Sequence, residues 1–182
     1  MFIRLFAACC AVVLLAGCAT FHHYDPYYGQ VIDAATGEPI EGAAVLAVYY
    51  TQSYGLAGSN LEFLDTQEVL TDEKGEFEVP SLISATFRPF QSFDSWAWIT
   101  IFKPGYAGYG CFPVHQDVIP KEQPFSPNQK KTIGLPKLAA REERLKYLSC
   151  YPSPSVPADK YSNLLRLIEN EINNLTLPSK NN

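Results

Sequence analysis

The stretch Gly29–Tyr50, GQVIDAATGEPIEGAAVLAVYY, decides the architecture. Gly29 to Asp33 reads as a strand. Ala34 to Ile40 reads as a turn, in which Gly37 takes a positive φ without steric penalty. Pro39 lacks an N–H and belongs at a strand start or an edge. Glu41-Gly42 suggests a bulge, and Ala43 to Tyr50 forms a second strand. Val45 and Ala47 lie on one face of that strand, Leu46 and Val48 on the other. A strand that is apolar on both faces belongs in the middle of a covered sheet.

The downstream pattern extends this β reading. Thr51 to Thr66 contains Gly55, Gly58, Ser59 and Asn60 and reads as an inserted loop. Glu68 to Thr71 and Glu76 to Val79 flank Asp72-Glu73-Lys74-Gly75, a hairpin signal: Asp opens the turn and Gly supplies its left-handed residue. Ser84 to Asp94 has no clear period. Trp96 to Phe102 (WAWITIF) alternates, with Trp96, Trp98 and Thr100 on one side and Ala97, Ile99 and Ile101 on the other; it is rich in β-formers. Lys103-Pro104-Gly105-Tyr106 ends it with a turn. Tyr109 to Val114 suggests another strand, Lys121 to Gln129 a loop, and Lys131 to Leu135 a closing strand. Small Ala43 beside Gly42 lets two sheets approach, with Val31, Val45 and Phe77 filling the space between them. Short strands with glycine turns are what a sandwich needs.

The period then changes to helical. Pro136 suits a first helical position, and Leu138, Leu145 and Leu148 fall on one stripe. Tyr151 to Pro157 contains three prolines and reads as a linker. Asp159 is a candidate N-cap. Beyond it Tyr161, Leu164, Leu165, Ile168, Ile172 and Leu175 form an amphipathic stripe, suited to packing on the sandwich or to docking a partner.

The motif Gly29-x-Val31-x-Asp33-x-x-Thr36-Gly37-x-Pro39-Ile40-x-Gly42-Ala43-x-Val45 is followed by Thr71-Asp72-x-x-Gly75-x-Phe77 and by Lys103-Pro104-Gly105-Tyr106. Together they resemble the carboxypeptidase regulatory-like domain. The resemblance covers residues 29–136 and leaves the helical end, 137–177, and a polar tail, 178–182, outside it. It implies a mainly β fold: a transthyretin-like antiparallel β-sandwich of about seven strands, here with two C-terminal α-helices. It also implies a non-catalytic module of surface and periplasmic proteins. Transthyretin-like hydrolases that process a urate derivative end in Tyr-Arg-Gly-Ser; this chain lacks that ending, so their activity does not carry over.

The N-terminal side supplies an address. Arg4 precedes Leu5 to Leu15, an apolar run of about eleven residues, too short for a spanning helix of roughly 20 and right for a secretory signal. Leu15-Ala16-Gly17-Cys18 resembles the bacterial lipoprotein signal, in which the Cys sulfur receives a diacylglycerol and cleavage leaves that Cys first. The resemblance implies a signal peptide over 1–17, lipidated Cys18 and a tether over 18–28. The other reading is an ordinary signal with an incidental Cys. Ala19 rather than Asp after the Cys favours the outer membrane, by the enteric rule.

Composition and charge narrow the function classes. Cleavage would remove Arg4 and no acid, moving the net charge from −5 to about −6. With no basic stripe, this argues against nucleic acid. The chain is 47% hydrophobic and 13% aromatic, enough for a real core. Cys9 and Cys10 leave with the signal and Cys18 is used by the lipid. Cys111 and Cys150 remain, an even pair in an oxidising compartment and therefore a candidate disulfide; two buried free thiols are the alternative.

Candidate sites are few. His22 and His23 are adjacent and point apart in an extended chain, so no metal is expected. His115 and Asp117 share a face if their segment is a strand, but the expectation is a solvated loop pair. No Gly-x-Ser-x-Gly nucleophile motif occurs. Among Phe87, Phe90, Phe93, Trp96 and Trp98, the residues Phe90, Trp96 and Trp98 are candidates to stack a sugar or grip a peptide, against a place in the core or along a covered edge. The expectation is a lipid-anchored, non-enzymatic envelope module without cofactor, acting as an accessory or scaffold for an envelope protein. The alternative is a carbohydrate- or peptide-binding lipoprotein. Oligomeric state is left open.

Overall fold

The computed structural model describes residues 20–55, 58–86, 91–93, 97–111 and 125–176. The described residues are mainly β, with three sheets and two C-terminal helices. The strands are β1 (Thr20–Tyr24), β2 (Tyr27–Asp33), β3 (Ala44–Gly55), β4 (Gly58–Leu70), β5 (Glu76–Val79), β6 (Leu82–Thr86), β7 (Gln91–Phe93), β8 (Trp98–Phe102) and β9 (Lys130–Leu135). The helices are α1 (Arg141–Lys146) and α2 (Ser162–Thr176).

One sheet runs β5-β2-β9, a second runs β4-β3-β7 with β8 also on β3, and β1 pairs β6 alone. The side chains Val31, Phe77, Val79, Ile133 and Leu135 from the first sheet meet Val45, Ala47, Tyr49, Ile99 and Ile101 from the second in one core. Val31, Val45 and Phe77 fill the space between the sheets as their positions in the sequence suggest. A second core lies on the other face of β3. There Ala44, Leu46, Val48 and Tyr50 pack with Phe102, Tyr147, Cys150, Val156, Leu164, Leu167 and Ile168. The doubly apolar strand is thus the shared middle of three layers.

Local chemistry sets the turns. Asp33 Oδ1 accepts the N–H groups of Ala35 and Thr36 at 2.8 and 3.2 Å, which closes the turn leading to Gly37. Buried Thr71 accepts the Ala43 N–H at 2.8 Å and donates to the Ile40 carbonyl at 2.7 Å, fixing the entry to β3. Gly75 has φ 69° and its α-carbon faces the Val31 carbonyl so closely that a Cβ would collide with it. Gly29 sits opposite Phe77 in the β2–β5 pair, with the ring against its α-carbon.

Several expectations are corrected. Thr51 to Thr66 is not an inserted loop: β3 and β4 pair continuously from Ala44↔Leu70 to Gly55↔Gly58, with a bulge at Tyr49/Tyr50. Beyond buried Thr51 the hairpin carries exposed Asn60, Leu61 and Glu62, so backbone pairing rather than an apolar face specifies it. The Asp72–Gly75 turn forms, with a 2.8 Å bond from the Gly75 N–H to the Asp72 carbonyl. Its flanking strands then part, β4 joining β3 and β5 joining β2. β9 runs parallel to β2, so the first sheet is mixed rather than antiparallel. Nine strands are present among the described residues, against about seven expected.

The stretch read as a tether includes β1, which pairs with β6 from Thr20↔Thr86 to Tyr24↔Leu82. Pro136 does not start a helix. Its carbonyl accepts the Ala107 N–H at 2.8 Å, and the Leu138 N–H reaches the Gly105 carbonyl at 2.8 Å, which holds 136–138 extended until α1 begins at Arg141. Leu138 and Leu148 are partly buried in the second core, but Leu145 is exposed. Of the proposed strand Tyr109–Val114, Tyr109 forms a single bridge to Ile101, and residues 112–124 lie outside the described residues.

Candidate functional site

Among the described residues, polar chemistry and exposed apolar surface occur at the ribbon after Cys18, the aromatic edge of β8, and the fastening of the helices to the sheet.

β1 begins two residues after Cys18. Its inward face carries Tyr24, buried against Tyr49 with ring centroids 4.5 Å apart. His22 stands edge-on to the Tyr24 ring at 4.5 Å. Burial, and then the neighbouring His23, push the His22 pKa below its ordinary value. His23 lies on the opposite face and pairs with Asp25 at 3.4 Å. Alternation along the strand therefore separates the two imidazoles. Among the described residues no cluster of three or more His, Cys, Asp or Glu is placed to hold a metal ion.

Below the ribbon, the Tyr27 hydroxyl accepts the Ala97 N–H at 2.7 Å, tying the start of β2 to the entry of β8. Burial raises the pKa of Tyr27 and, more strongly, of Tyr49, so both are neutral phenols across the physiological range. From Ala97 into β8, Ala97, Ile99 and Ile101 are buried and Trp98 is 52% exposed, as the alternation suggests, while Phe102, on the Trp98 side, is buried in the second core. The Trp98 ring meets Tyr50 edge-to-face, centroids 6.2 Å apart. Burial raises the Tyr50 pKa, opposed by hydrogen bonds with Ser153 and Ser155.

The helical layer is fastened at several points. The Glu68 carboxylate on β4 accepts the Asn163 and Leu164 N–H groups at 2.9 and 2.7 Å, satisfying donors that a helix start leaves open. Glu68 is the cap of α2; Asp159, the sequence candidate, lies in a short 3-10 turn, Ala158–Lys160, ahead of it. The buried Glu171 carboxylate takes Arg144 Nε at 2.6 Å, Arg144 Nη2 at 2.5 Å and the Gly105 N–H at 3.1 Å. Cys111 and Cys150 lie with their sulfurs at bonding distance and Cα atoms 4.6 Å apart, both buried. The α2 stripe faces this layer: Tyr161, Leu164, Ile168 and Leu175 are buried, with Leu165 and Ile172 partly so.

Cys18, Phe90, Trp96, His115 and Asp117 lie outside the described residues. Trp98 is therefore the stacking candidate whose surroundings are defined. Sequence reasoning missed Glu68, Arg144 and Glu171. A buried acid on an apolar helix face was the available signal for Glu171, three residues after Ile168. The carboxylates of Asp33, Glu68 and Glu171 are engaged by backbone N–H groups, a tyrosine or an arginine. Among the described residues no helix is long and apolar enough to cross a membrane. No protein-family model matches the chain, and searches of curated proteins and of solved structures return no significant match.

Proposed function

We propose that this chain is a lipid-anchored, non-catalytic module of the bacterial cell envelope. It is held by acylated Cys18 at the outer membrane and serves as an accessory or scaffold for an envelope protein. The observation that carries the reading is Leu15-Ala16-Gly17-Cys18 directly ahead of β1. The Cys111–Cys150 pair supports an oxidising compartment. Two facing sheets, with the Gly37, Gly75 and Gly105 turns all at positive φ, support the carboxypeptidase regulatory-like, transthyretin-like assignment of 29–136. The helical extension covers the outer face of the second sheet.

The test is cross-linking of intact cells expressing a tagged copy, followed by mass spectrometry of what is captured, beside Cys18→Ala. An acylated N-terminal peptide and one stoichiometric envelope partner, both lost in Cys18→Ala, are expected. A soluble, unacylated wild-type protein would overturn the anchored reading.

The half-exposed Trp98 beside Tyr50 favours a second reading, a carbohydrate- or peptide-binding lipoprotein. In that case oligosaccharides or peptides raise the melting temperature of the wild type but not of Trp98→Ala. A screen without any thermal shift would sink it.

A further inference from the structure

The β1–β6 ribbon has its faces in an unusual order. Cross-strand pairing puts His22, Ser84, Tyr24 and Leu82 on one face and Phe21, Ala85, His23 and Ile83 on the other. The first face closes over the core, with Tyr24 2% and Ser84 9% exposed. The second points outward, yet beside the imidazole of His23 it carries two large apolar side chains: Phe21 is 73% exposed and Ile83 71%. Among the described residues no large hydrophobic side chain is more exposed than these two. A ribbon with one buried face ordinarily presents polar residues on the other, so this face calls for a covering surface.

The chain itself says what covers it. Phe21 is three residues from Cys18, so their Cα atoms lie within about 11 Å of each other. The headgroup layer flanking the hydrocarbon is about 5–7 Å thick on each side. Acyl chains on Cys18 therefore hold Phe21 at the depth of the headgroups or just above them. Phe and Ile gain there by leaving water.

From this we infer that the outer face of the β1–β6 ribbon, Phe21 and Ile83 foremost, seats against the lipid surface and fixes the orientation of the domain on the membrane. The inference rests on the lipidation of Cys18 proposed above. It makes the anchor a short, structured foot rather than a loose leash. The Asp72–Gly75 turn, reached along β5 away from β6, points to the opposite end of β2 and stays in water.

The experiment uses the full lipidated chain carrying Ile83→Cys, labelled with a small environment-sensitive fluorophore. The protein is reconstituted in phosphatidylethanolamine–phosphatidylglycerol vesicles with and without brominated acyl chains. Glu73→Cys in the distal turn is the control, and intact mass reports acylation and the disulfide. The expected result is a blue shift and bromolipid quenching at position 83 and neither at position 73. A position-83 label quenched by aqueous iodide and untouched by bromolipid, on protein that is acylated and vesicle-bound, overturns the seating and leaves the lipid anchor standing. A blue shift without bromolipid quenching assigns the face to a second copy of the chain and also overturns it. An unacylated Cys18 removes the anchor and the seating together.

Discussion

Glu68 Oε1 accepts the Leu164 N–H at 2.7 Å, joining the open end of the β3–β4 hairpin to the first turn of the C-terminal helix across 96 residues of sequence. The second oxygen takes the Asn163 N–H. One carboxylate thus closes two open donors and lies at the positive end of the helix dipole.

Glu68→Ala removes both bonds and the charge. The expected loss is about 1–2 kcal/mol, or a fall in Tm of about 3–6 °C for a domain of this size. Glu68→Gln keeps one acceptor and falls between the two. Asp159→Ala, outside the cap, leaves Tm unchanged. Thermal unfolding of the three variants, followed by circular dichroism, checks the order.

The Arg144–Glu171 pair makes a sharper prediction because Glu171 is 2% exposed. Arg144→Ala strands a buried carboxylate with only the Gly105 N–H, at an expected cost of about 3 kcal/mol. Arg144→Leu combined with Glu171→Leu leaves no charge behind and recovers most of the loss. Urea denaturation of the singles and the double gives the coupling; a double as unstable as the sum of the singles would defeat this account.

Asp33 predicts an acid-side slope. Its carboxylate is held below its ordinary pKa by the Ala35 N–H, then the Thr36 N–H, with Tyr106 adding a hydrogen bond at 3.3 Å. A pKa lower in the folded state means that the unfolded chain binds the proton first. The stabilisation is therefore complete above the unfolded value, about 4, and is lost as pH falls from there through the folded one. Tm measured from neutral to strongly acidic pH should fall less steeply for Asp33→Asn than for the wild type.

The Cys111–Cys150 pair closes a loop with a sequence separation of 39. In the chain-entropy model such a bridge contributes about 4 kcal/mol. Reductant should lower the urea midpoint of the wild type to that of Cys111→Ser plus Cys150→Ser, and should not move the double variant. Because Cys150 ends the 3-10 turn Tyr147–Ser149 that continues α1, the helical layer should lose its amide-exchange protection before the sheets do.

By itself the sequence determined what short-range periodicity and turn chemistry encode. The two-faced apolar run Val45–Val48 made β3 a central strand. The positive-φ glycines at 37, 75 and 105 placed the turns, and the 3.6-residue spacing of Tyr161 to Leu175 placed α2 with its buried side. Only the tertiary structure decided which strands pair. A parallel β2–β9 contact and a β1–β6 contact join segments about 100 and about 60 residues apart, and period-2 alternation is the same whatever the partner. It also decided the polar fastenings. Nothing local marks Glu68 as the cap of a helix 95 residues away, or pairs Arg144 with Glu171. Such bonds exist because packing α2 on β3 buries the groups together, and a buried charge or open helix N–H must then find the nearest partner.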